Sequence, residues 1–210
     1  MSVEIKWFGH ASFRIASGGN VLYIDPWKLP ASVAHDADVI FVSHSHFDHC
    51  SPPDIARISK SDTAIVAPAE TIAQLHAANA VDPGQQITFK EIAVEAVAAY
   101  NIGKKFHPKG HNWCGAVFTL GGKRIYYAGD TDLVPEMSDL KDVDLALLPV
   151  GGTYTLDAET AAKACQAIGP KAAVPYHWGD IVGTRADAEK FARAAKCKVH
   201  VLQPMETLTL

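Results

Sequence analysis

Cysteine is scarce in this sequence of 210 residues, and its four cysteines lie far apart. No two of them form a Cys-x-x-Cys pair, so neither a disulfide framework nor a zinc site built only from cysteines is indicated. Apolar runs long enough to span a bilayer are also missing, and the first residues lack the apolar segment of a secretory signal peptide. We therefore expect a cytoplasmic protein with reduced thiols and no membrane partner.

A surplus of basic residues is missing as well. The chain has 19 Lys and Arg against 23 Asp and Glu, a formal net charge of −4. Binding to nucleic acid needs a basic surface, so we expect no nucleic-acid partner. With 48% hydrophobic residues, the length is sufficient for one domain over residues 1–210 with a substantial core. The sequence does not indicate an oligomeric state.

Histidine, by contrast, is abundant, with ten in the chain. Residues 43–50 include four potential metal ligands close together: His44, His46, Asp48 and His49. Residues 38–42 before them, an aspartate followed by four apolar residues, predict a buried strand, and Ser51 followed by Pro52 predicts a helix start. The cluster should therefore lie in a short loop at the C-terminal end of a strand. Imidazole and carboxylate together suit a borderline divalent metal such as zinc.

Turn signals and apolar runs predict an ordered series of strands and helices. Gly-Gly pairs at residues 18–19 and 121–122 mark two hairpins. Composition and capping patterns predict helices from residue 51, over residues 68–79 and 157–168, and from residue 184, with a last strand at residues 198–202. Runs of strands are followed twice by strand–helix alternation. Two packed sheets with helices on their outer faces, an α/β sandwich, fit this order.

Polar side chains follow several of the predicted strands. The histidine cluster follows one strand, Asp130 follows the second hairpin, and His177 follows the short strand at residues 172–175. Reactive groups gather at the C-terminal ends of strands in α/β sheets, so we expect these residues to converge on one site. The polar loop at residues 100–112 is also more typical of a functional segment than of a plain connection.

In this order the motifs resemble those of the metallo-β-lactamase superfamily. The resemblance rests on His44-x-His46-x-Asp48-His49, then Gly129-Asp130-Thr131, then His177. Residues 7–11 (Trp-Phe-Gly-His-Ala) and 24–26 (Ile-Asp-Pro) look like the small, single-domain metal-dependent hydrolase branch, which includes relatives of the ascorbate-phosphate lactonase. The resemblance implies a four-layer αββα sandwich with a dinuclear metal site between the sheet edges.

The resemblance also implies a division of the ligands between two divalent metal ions. His44 and His46 would bind the first ion, Asp48, His49 and His177 the second, and Asp130 both. Zinc is the expected metal, with manganese, iron or nickel as alternatives, because the same nitrogen and oxygen donors accept several ions. Such a metal pair would make hydroxide available as the nucleophile. Asp48 would be the catalytic residue that accepts or passes on the proton.

The loop at residues 100–112 departs from the family pattern. The family has a third histidine for the first metal directly after the strand at residues 92–99, where this chain has Tyr100-Asn101. We favour His107 as the replacement, because Pro108 and Gly110 make its local backbone specific. His111 is an alternative, as is a site without this ligand, with Asn101 as a weak oxygen ligand or a hydrogen-bonding partner of the substrate. Lys109 could bind an anionic group of the substrate or be a solvated loop lysine.

Two further residues are predicted to support the ligands. Metal-bound imidazoles usually donate their second N–H to a carboxylate or carbonyl, and Asp25 at a strand end is a reasonable acceptor. His10 is predicted to lie with it behind the ligands, although both could be hairpin-end residues without a role. The remaining histidines are predicted to be surface or packing residues: His35, His76 and His200.

The function predicted on this basis is metal-dependent hydrolysis of a small molecule through an ester, lactone, amide or phosphodiester bond. A non-catalytic metal-binding protein of the same fold is the alternative. A redox protein is less favoured, because the di-iron members carry a glutamate in the first motif and a fused flavin domain. The family's nucleases carry large insertions and its glyoxalase-type thioesterases an extra helical domain, and this chain has no room for either.

Overall fold

Two seven-stranded β-sheets form the centre of the fold in the computed structural model, which describes residues 1–75 and 78–210. The first sheet contains β1 (Glu4–Gly9), β2 (Ser12–Ser17), β3 (Asn20–Ile24), β4 (Ala37–Phe41), β5 (Ser59–Ala67) and β6 (Ala78–Ala80). The second contains β7 (Gln86–Phe89), β8 (Ile92–Ala98), β9 (Cys114–Leu120), β10 (Lys123–Tyr127), β11 (Leu145–Pro149), β12 (Ala172–Tyr176) and β13 (Lys198–Val199). A short strand near the C-terminus, β14 (Thr207–Thr209), returns to the first sheet beside β1.

Each sheet is antiparallel at one side and parallel at the other. Hairpins join β1, β2 and β3, and β3 to β6 then run parallel; in the same way β7 to β10 are antiparallel and β10 to β13 parallel. The glycines at positions 18–19 and 121–122 have positive φ angles (58° and 84°, 58° and 74°), which tight hairpin turns require. The loops after β4 and β12, one in each sheet, carry four of the five histidines predicted to bind metal, and the loop after β8 carries His107.

Side chains of the two sheets pack against each other to form the main core. Within β4, Val39 and Phe41 belong to this core, and the Phe41 ring lies 5.2 Å from the ring of Phe118 in the opposite sheet. The alternate residue Ile40 belongs to a separate cluster with Ile55 and Ile58 of the first helix. Because successive strand residues point to opposite faces, this division shows that the first helix covers the outer face of its sheet.

Four α-helices flank the sheets: α1 (Pro52–Ile58), α2 (Ala69–Ile72), α3 (Ala158–Ile168) and α4 (Arg185–Ala194). Ser51 is the N-cap of α1, as predicted, and Asp157 forms a capping box with Thr160 at the start of α3. α3 packs on β11 and α4 on β12. The layers are therefore α, β, β and α, the predicted sandwich. None of the helices in residues 1–75 and 78–210 has the length and apolar character that crossing a bilayer requires.

Two predicted elements differ from the structure. The prediction of a helix over residues 68–79 is wrong: among the described residues of this stretch only α2 is helical, and residues 78 and 79 belong to β6. β6 pairs in parallel with β5, so sheet extension overrides the helical propensity of this stretch. The last predicted strand ends at Val199 instead of residue 202, and β14 was not predicted because a three-residue edge strand carries no periodic pattern. His76 lies outside the described residues.

We predict that Phe118→Ala lowers the free energy of unfolding by about 3–5 kcal/mol, because the ring is fully buried between the sheets. Phe47→Ala is the matched control, since that ring is 68% exposed and its loss should change stability by about 0.5 kcal/mol or less. Chemical denaturation of both variants measures the difference. Equal effects would mean that Phe118 does not belong to the main core.

Candidate metal centre

Histidines and carboxylates from loops of both sheets meet at one edge of the sandwich. One group contains His44, His46 and His107, and a second contains His10, Asp48, His49 and His177; in each group the potential ligand atoms lie within 4.8 Å of one another. The loop after β4 supplies most of these side chains. The loops after β1, β8 and β12 supply the others, so no single segment of the chain could form the centre.

Asp130 lies between the two groups. Its Oδ2 is 3.4 Å from His107 Nε2 in the first group and 3.2 Å from His177 Nε2 in the second. Its Oδ1 is 3.4 Å from His49 Nε2. A single carboxylate thus faces donors of both groups, which is the arrangement that a ligand shared by two metal ions needs.

The structure brings His107, and not His111, next to His44 and His46. The Asn101 side chain holds His107 in place: its Oδ1 accepts the backbone N–H of His107 at 3.1 Å and faces His107 Nδ1 at 3.0 Å. An amide oxygen only accepts, so Nδ1 carries the proton and the Nε2 lone pair is free to bind a metal. His111 instead lies 2.9 Å from Glu70, with 42% of its side chain exposed.

Two residues predicted to contact the substrate have other partners. Asn101 is occupied by His107 and, through Nδ2, by the carbonyl of Tyr154 at 2.9 Å. Lys109 Nζ donates to the Tyr100 hydroxyl at 3.2 Å and to Glu136 at 3.1 Å. Lys109 also lines a different cavity, beside Trp113. The geometry therefore gives Asn101 a role in orienting His107 and does not support a contact between Lys109 and the substrate.

The Asp25 carboxylate, at the end of β3, is fully buried and accepts hydrogen bonds from both sheets. Oδ1 accepts the backbone N–H of Ser43 at 2.7 Å, and Oδ2 accepts the Ser43 hydroxyl at 2.5 Å. Oδ2 also lies 2.7 Å from His49 Nδ1 and 2.6 Å from the hydroxyl of Tyr127 in β10. Since the carboxylate accepts, His49 Nδ1 carries the proton and its Nε2 points to Asp130.

A second histidine–carboxylate pair in the centre is formed by His10 and Asp48. His10 Nε2 lies 2.9 Å from Asp48 Oδ2, and the His10 ring centroid is 4.0 Å from that of His177. The backbone carbonyl of His10 accepts the N–H of His177 at 3.0 Å, which ties the ends of β1 and β12 together. His10, Asp25 and His177 all have left-handed φ angles, of 48°, 42° and 61°. Such strained conformations concentrate at functional sites.

Several buried polar atoms of the centre have no hydrogen-bond partner among the described residues. They are His10 Nδ1, His49 Nε2, His107 Nε2, Asp130 Oδ1 and both ring nitrogens of His177. Leaving one buried polar atom unsatisfied costs about 1–3 kcal/mol, and native proteins contain few of them. Among them, His49 Nε2, His107 Nε2, His177 Nε2 and Asp130 Oδ1 fit metal coordination. The 3.1 Å between His44 Nε2 and His46 Nδ1 is also close to the roughly 3.3 Å expected for two imidazoles on one tetrahedral zinc.

The protonation states also suit metal binding. Burial lowers the pKa of His44 well below its ordinary value and that of His107 to about 4. Burial would raise the pKa of Asp130, but the attraction of His177 and His49 holds it well below its ordinary value. His49 is the exception, since Asp130 and Asp25 outweigh burial and raise its pKa. Neutral imidazoles and ionised carboxylates are the forms that bind metals.

Three supporting residues were not predicted from the sequence. Ser43 and Tyr127 hold Asp25, and the Trp113 ring lies 4.9 Å from the ring of His44 and 4.9 Å from that of His46. The position of Tyr127 at the end of β10, three residues before Asp130, was a signal that could have identified it. Trp113 precedes β9 directly after the polar loop, but nothing in the sequence indicates which side chains its ring contacts.

The chain is similar over its whole length to proteins described as metal-dependent hydrolases. The profile of the β-lactamase superfamily domain matches residues 4–177, a segment that contains every donor named above. A UPF0173 metal-dependent hydrolase from Thermus thermophilus is 34% identical, with 99% of each chain covered. Another from Symbiobacterium thermophilum is 35% identical over 99% of this chain and 100% of the relative.

Solved structures show the same similarity. A protein from Parabacteroides distasonis, provisionally described as a metal-dependent hydrolase, matches with a TM-score of 0.87 and 33% identity over 96% of this chain and 94% of that one. Igni18, a metallo hydrolase from Ignicoccus hospitalis, matches with a TM-score of 0.82 and 26% identity over 100% of this chain and 99% of its own.

We predict that Asp25→Asn weakens zinc binding by about 10–100-fold, because His49 loses the carboxylate that orients its ring. Asp38→Asn is the matched control: Asp38 is also buried, but its partners are Val21, Lys60 and Lys90. That variant should keep the zinc affinity within about twofold, as measured by competition with a chromophoric chelator. An equal loss of zinc affinity in both variants would mean that Asp25 supports folding and does not specifically orient His49.

His107→Ala should lower the amount of metal bound per chain, because the first group then keeps only two imidazoles. His111→Ala changes the same loop without touching either group and should leave metal content unchanged. Elemental analysis after dialysis against zinc measures both. Full metal content in His107→Ala would contradict its assignment to the first group.

Proposed function

The chain belongs to the β-lactamase superfamily and is a metal-dependent hydrolase, and from this premise we propose that it uses two divalent metal ions to cleave an ester, lactone, amide or phosphodiester bond of a small molecule. The observation that carries the proposal is the position of Asp130 between two groups of metal donors. His44, His46 and His107 would hold one ion, and Asp48, His49 and His177 the other. Asp130 would contact both.

Zinc is the metal we propose, with manganese, iron and nickel as alternatives. The donors are mostly imidazole nitrogens with two carboxylates, a set that suits zinc without excluding the others. When bound, the ions would lower the pKa of a water molecule and polarise the bond under attack. The oriented side chains, Asp25 behind His49 and Asn101 behind His107, support this by presenting the free Nε2 atoms inward.

Asp48 is the residue we propose for proton transfer. His10 engages Asp48 Oδ2, and no hydrogen bond from the described residues reaches Oδ1. Burial would raise the pKa of Asp48, but the hydrogen bond with His10 and the field of His49 lower it to about 2. The carboxylate is therefore ionised at neutral pH and can accept a proton at Oδ1. It would then pass that proton to the leaving group.

A small molecule is the proposed substrate. A cavity of about 230 Å³ opens over the centre and is lined by His46, Asp48, His107 and Asp130. A bond held in this cavity would lie beside donors of both groups. We also propose a cytoplasmic location, because the spacing of the four cysteines does not indicate a disulfide framework.

The alternative of a non-catalytic metal-binding protein depended on an incomplete first metal site. His107 lies with His44 and His46 and supplies the third imidazole. The cavity beside Asp48 moreover leaves access for a substrate. Both observations favour catalysis over metal binding alone.

We predict that Asp130→Asn and Asp48→Asn each lower the hydrolysis rate by about 10²–10⁴-fold. Asp130 faces both donor groups, and Asp48 is the proposed proton carrier. Asp132→Asn is the control: its carboxylate binds Lys104 and the backbone of Ile102, so the rate should stay within about threefold. Initial rates of zinc-loaded proteins on a panel of esters, lactones, amides and phosphodiesters give the comparison, and circular dichroism checks folding. Wild-type rates in folded Asp130→Asn would refute the proposed function.

A further inference from the structure

The cavity over the metal centre has an apolar rim. Besides metal donors, it is lined by Phe47, Phe106, Tyr154 and Ile181, which we call the apolar rim. Each member comes from a different loop: Phe47 follows β4, Phe106 follows β8, Tyr154 follows β11 and Ile181 follows β12. Three of these loops, those after β4, β8 and β12, also deliver metal donors to the same opening.

Exposed apolar side chains are concentrated at this rim. In the described part of the chain, the exposed large hydrophobic residues are Met1, Phe47, Ile102, Phe106, Ile181 and Met205. Half of them belong to the apolar rim: Phe47 is 68% exposed, Phe106 43% and Ile181 48%. Isolated exposed hydrophobic residues are ordinary, but a contiguous patch around a cavity marks a binding site.

Packing holds the rim in place. The rings of Phe106 and Tyr154 meet edge to face, with centroids 4.6 Å apart and an angle of 87°. The Phe47 ring packs in the same way against Trp27, at 5.8 Å and 76°. Asn101 Nδ2 donates to the Tyr154 carbonyl and so ties this wall to the His107 loop. The rim therefore has a defined shape before any ligand binds.

Ile181 adopts a backbone conformation that a β-branched residue disfavours. Its φ is +62°, a left-handed value that is a genuine outlier for a β-branched residue and that glycine adopts freely. The turn around it is closed by a hydrogen bond from Val182 N–H to the Asp180 carbonyl, and Asp180 pairs with Lys28 at 2.7 Å. Folding alone would favour glycine here, so the isoleucine side chain points to a role at the cavity.

The charged side chains that line the cavity are the carboxylates Asp48 and Asp130 in the described part of the chain. Within residues 1–75 and 78–210, no lysine or arginine lines it. Lys104, two residues before Phe106, donates to Asp132 and to the carbonyl of Thr155, both at 2.6 Å, and Lys105 is exposed outside the cavity lining. An anionic group held inside the cavity would therefore meet no lysine or arginine among the described lining residues and would face the carboxylates of Asp48 and Asp130.

We propose that the site takes an uncharged substrate whose group next to the scissile bond is compact and apolar, such as a short alkyl chain or one aromatic ring. This inference rests on the proposed hydrolase function and narrows it toward neutral esters, lactones and amides, away from phosphodiesters. The cavity of about 230 Å³ has the volume of about eight water molecules. Transfer of such a group from water to the apolar rim supplies the binding free energy.

A test that needs no turnover uses two hydroxamates that bind zinc through the same head group. Butyrohydroxamate ends in a methyl group, and succinate monohydroxamate ends in a carboxylate at the same distance. We expect the zinc-loaded protein to bind butyrohydroxamate at least tenfold more tightly, as measured by isothermal titration calorimetry. Equal affinities, or tighter binding of the anionic compound, would overturn the proposal.

Variants of the apolar rim test whether its side chains cause the tighter binding of butyrohydroxamate. Phe106→Ala and Ile181→Gly should each reduce the ratio of the two affinities at least threefold, and Ile181→Gly should keep or raise the melting temperature because the backbone strain is relieved. Ile102→Ala is the matched control: this isoleucine is 58% exposed and lines a different cavity. In Ile102→Ala, the ratio of the two hydroxamate affinities should stay within twofold of the wild-type ratio. The same reduction in all three variants would place the preference outside the rim.

Turnover separates this proposal from the hydrolase function itself. p-Nitrophenyl butyrate and mono-p-nitrophenyl succinate carry the same two tails on one leaving group, and we expect kcat/KM to be at least tenfold higher for the butyrate. If neither ester is cleaved while the affinities of the two hydroxamates still differ tenfold, the proposal of ester hydrolysis is wrong and the proposed apolar preference is supported. If both esters are cleaved with equal kcat/KM, the proposed apolar preference is wrong and the hydrolase function is supported.

Discussion

The buried carboxylate of Asp25 is the interaction on which the rest of the centre depends. It accepts hydrogen bonds from Ser43 and His49 in the loop after β4 and from Tyr127 in the opposite sheet. One side chain therefore orients a metal donor and joins the two halves of the sandwich. A carboxylate with no exposed surface is tolerated because both of its oxygens accept hydrogen bonds.

The centre combines features that would destabilise an ordinary core. Buried imidazole nitrogens and a carboxylate oxygen have no hydrogen-bond partner in the part of the chain that the structure describes, and His10, Asp25 and His177 have strained backbone angles. Such features persist where the surrounding structure over-determines them. Here the two packed sheets and the hydrogen bond from His177 N–H to the His10 carbonyl hold the ends of β1 and β12 together. Function, and not stability, explains why the sequence retains them.

Much of this could be predicted from the sequence, for identifiable reasons. The αββα order followed from hairpin signals, apolar runs and helix caps, all of which are local. His44, His46, Asp48 and His49 stood out because they are adjacent in the chain. The predicted helix at residues 68–79 failed because pairing of β6 with β5 is a long-range effect. The apolar rim was not predicted at all, because each of its loops contributes one unremarkable hydrophobic residue.

The sequence by itself determined the class of fold and predicted metal binding and most of the candidate ligands, because these follow from residue types, short spacings and the family resemblance that they carry. Only the tertiary structure decided between His107 and His111, since the Asn101 side chain turns His107 inward while Glu70 holds His111 at the surface. The tertiary structure also moved Lys109 away from the cavity and surrounded it with Phe47, Phe106, Tyr154 and Ile181. Distances between loops of different strands depend on sheet packing, which no local pattern records.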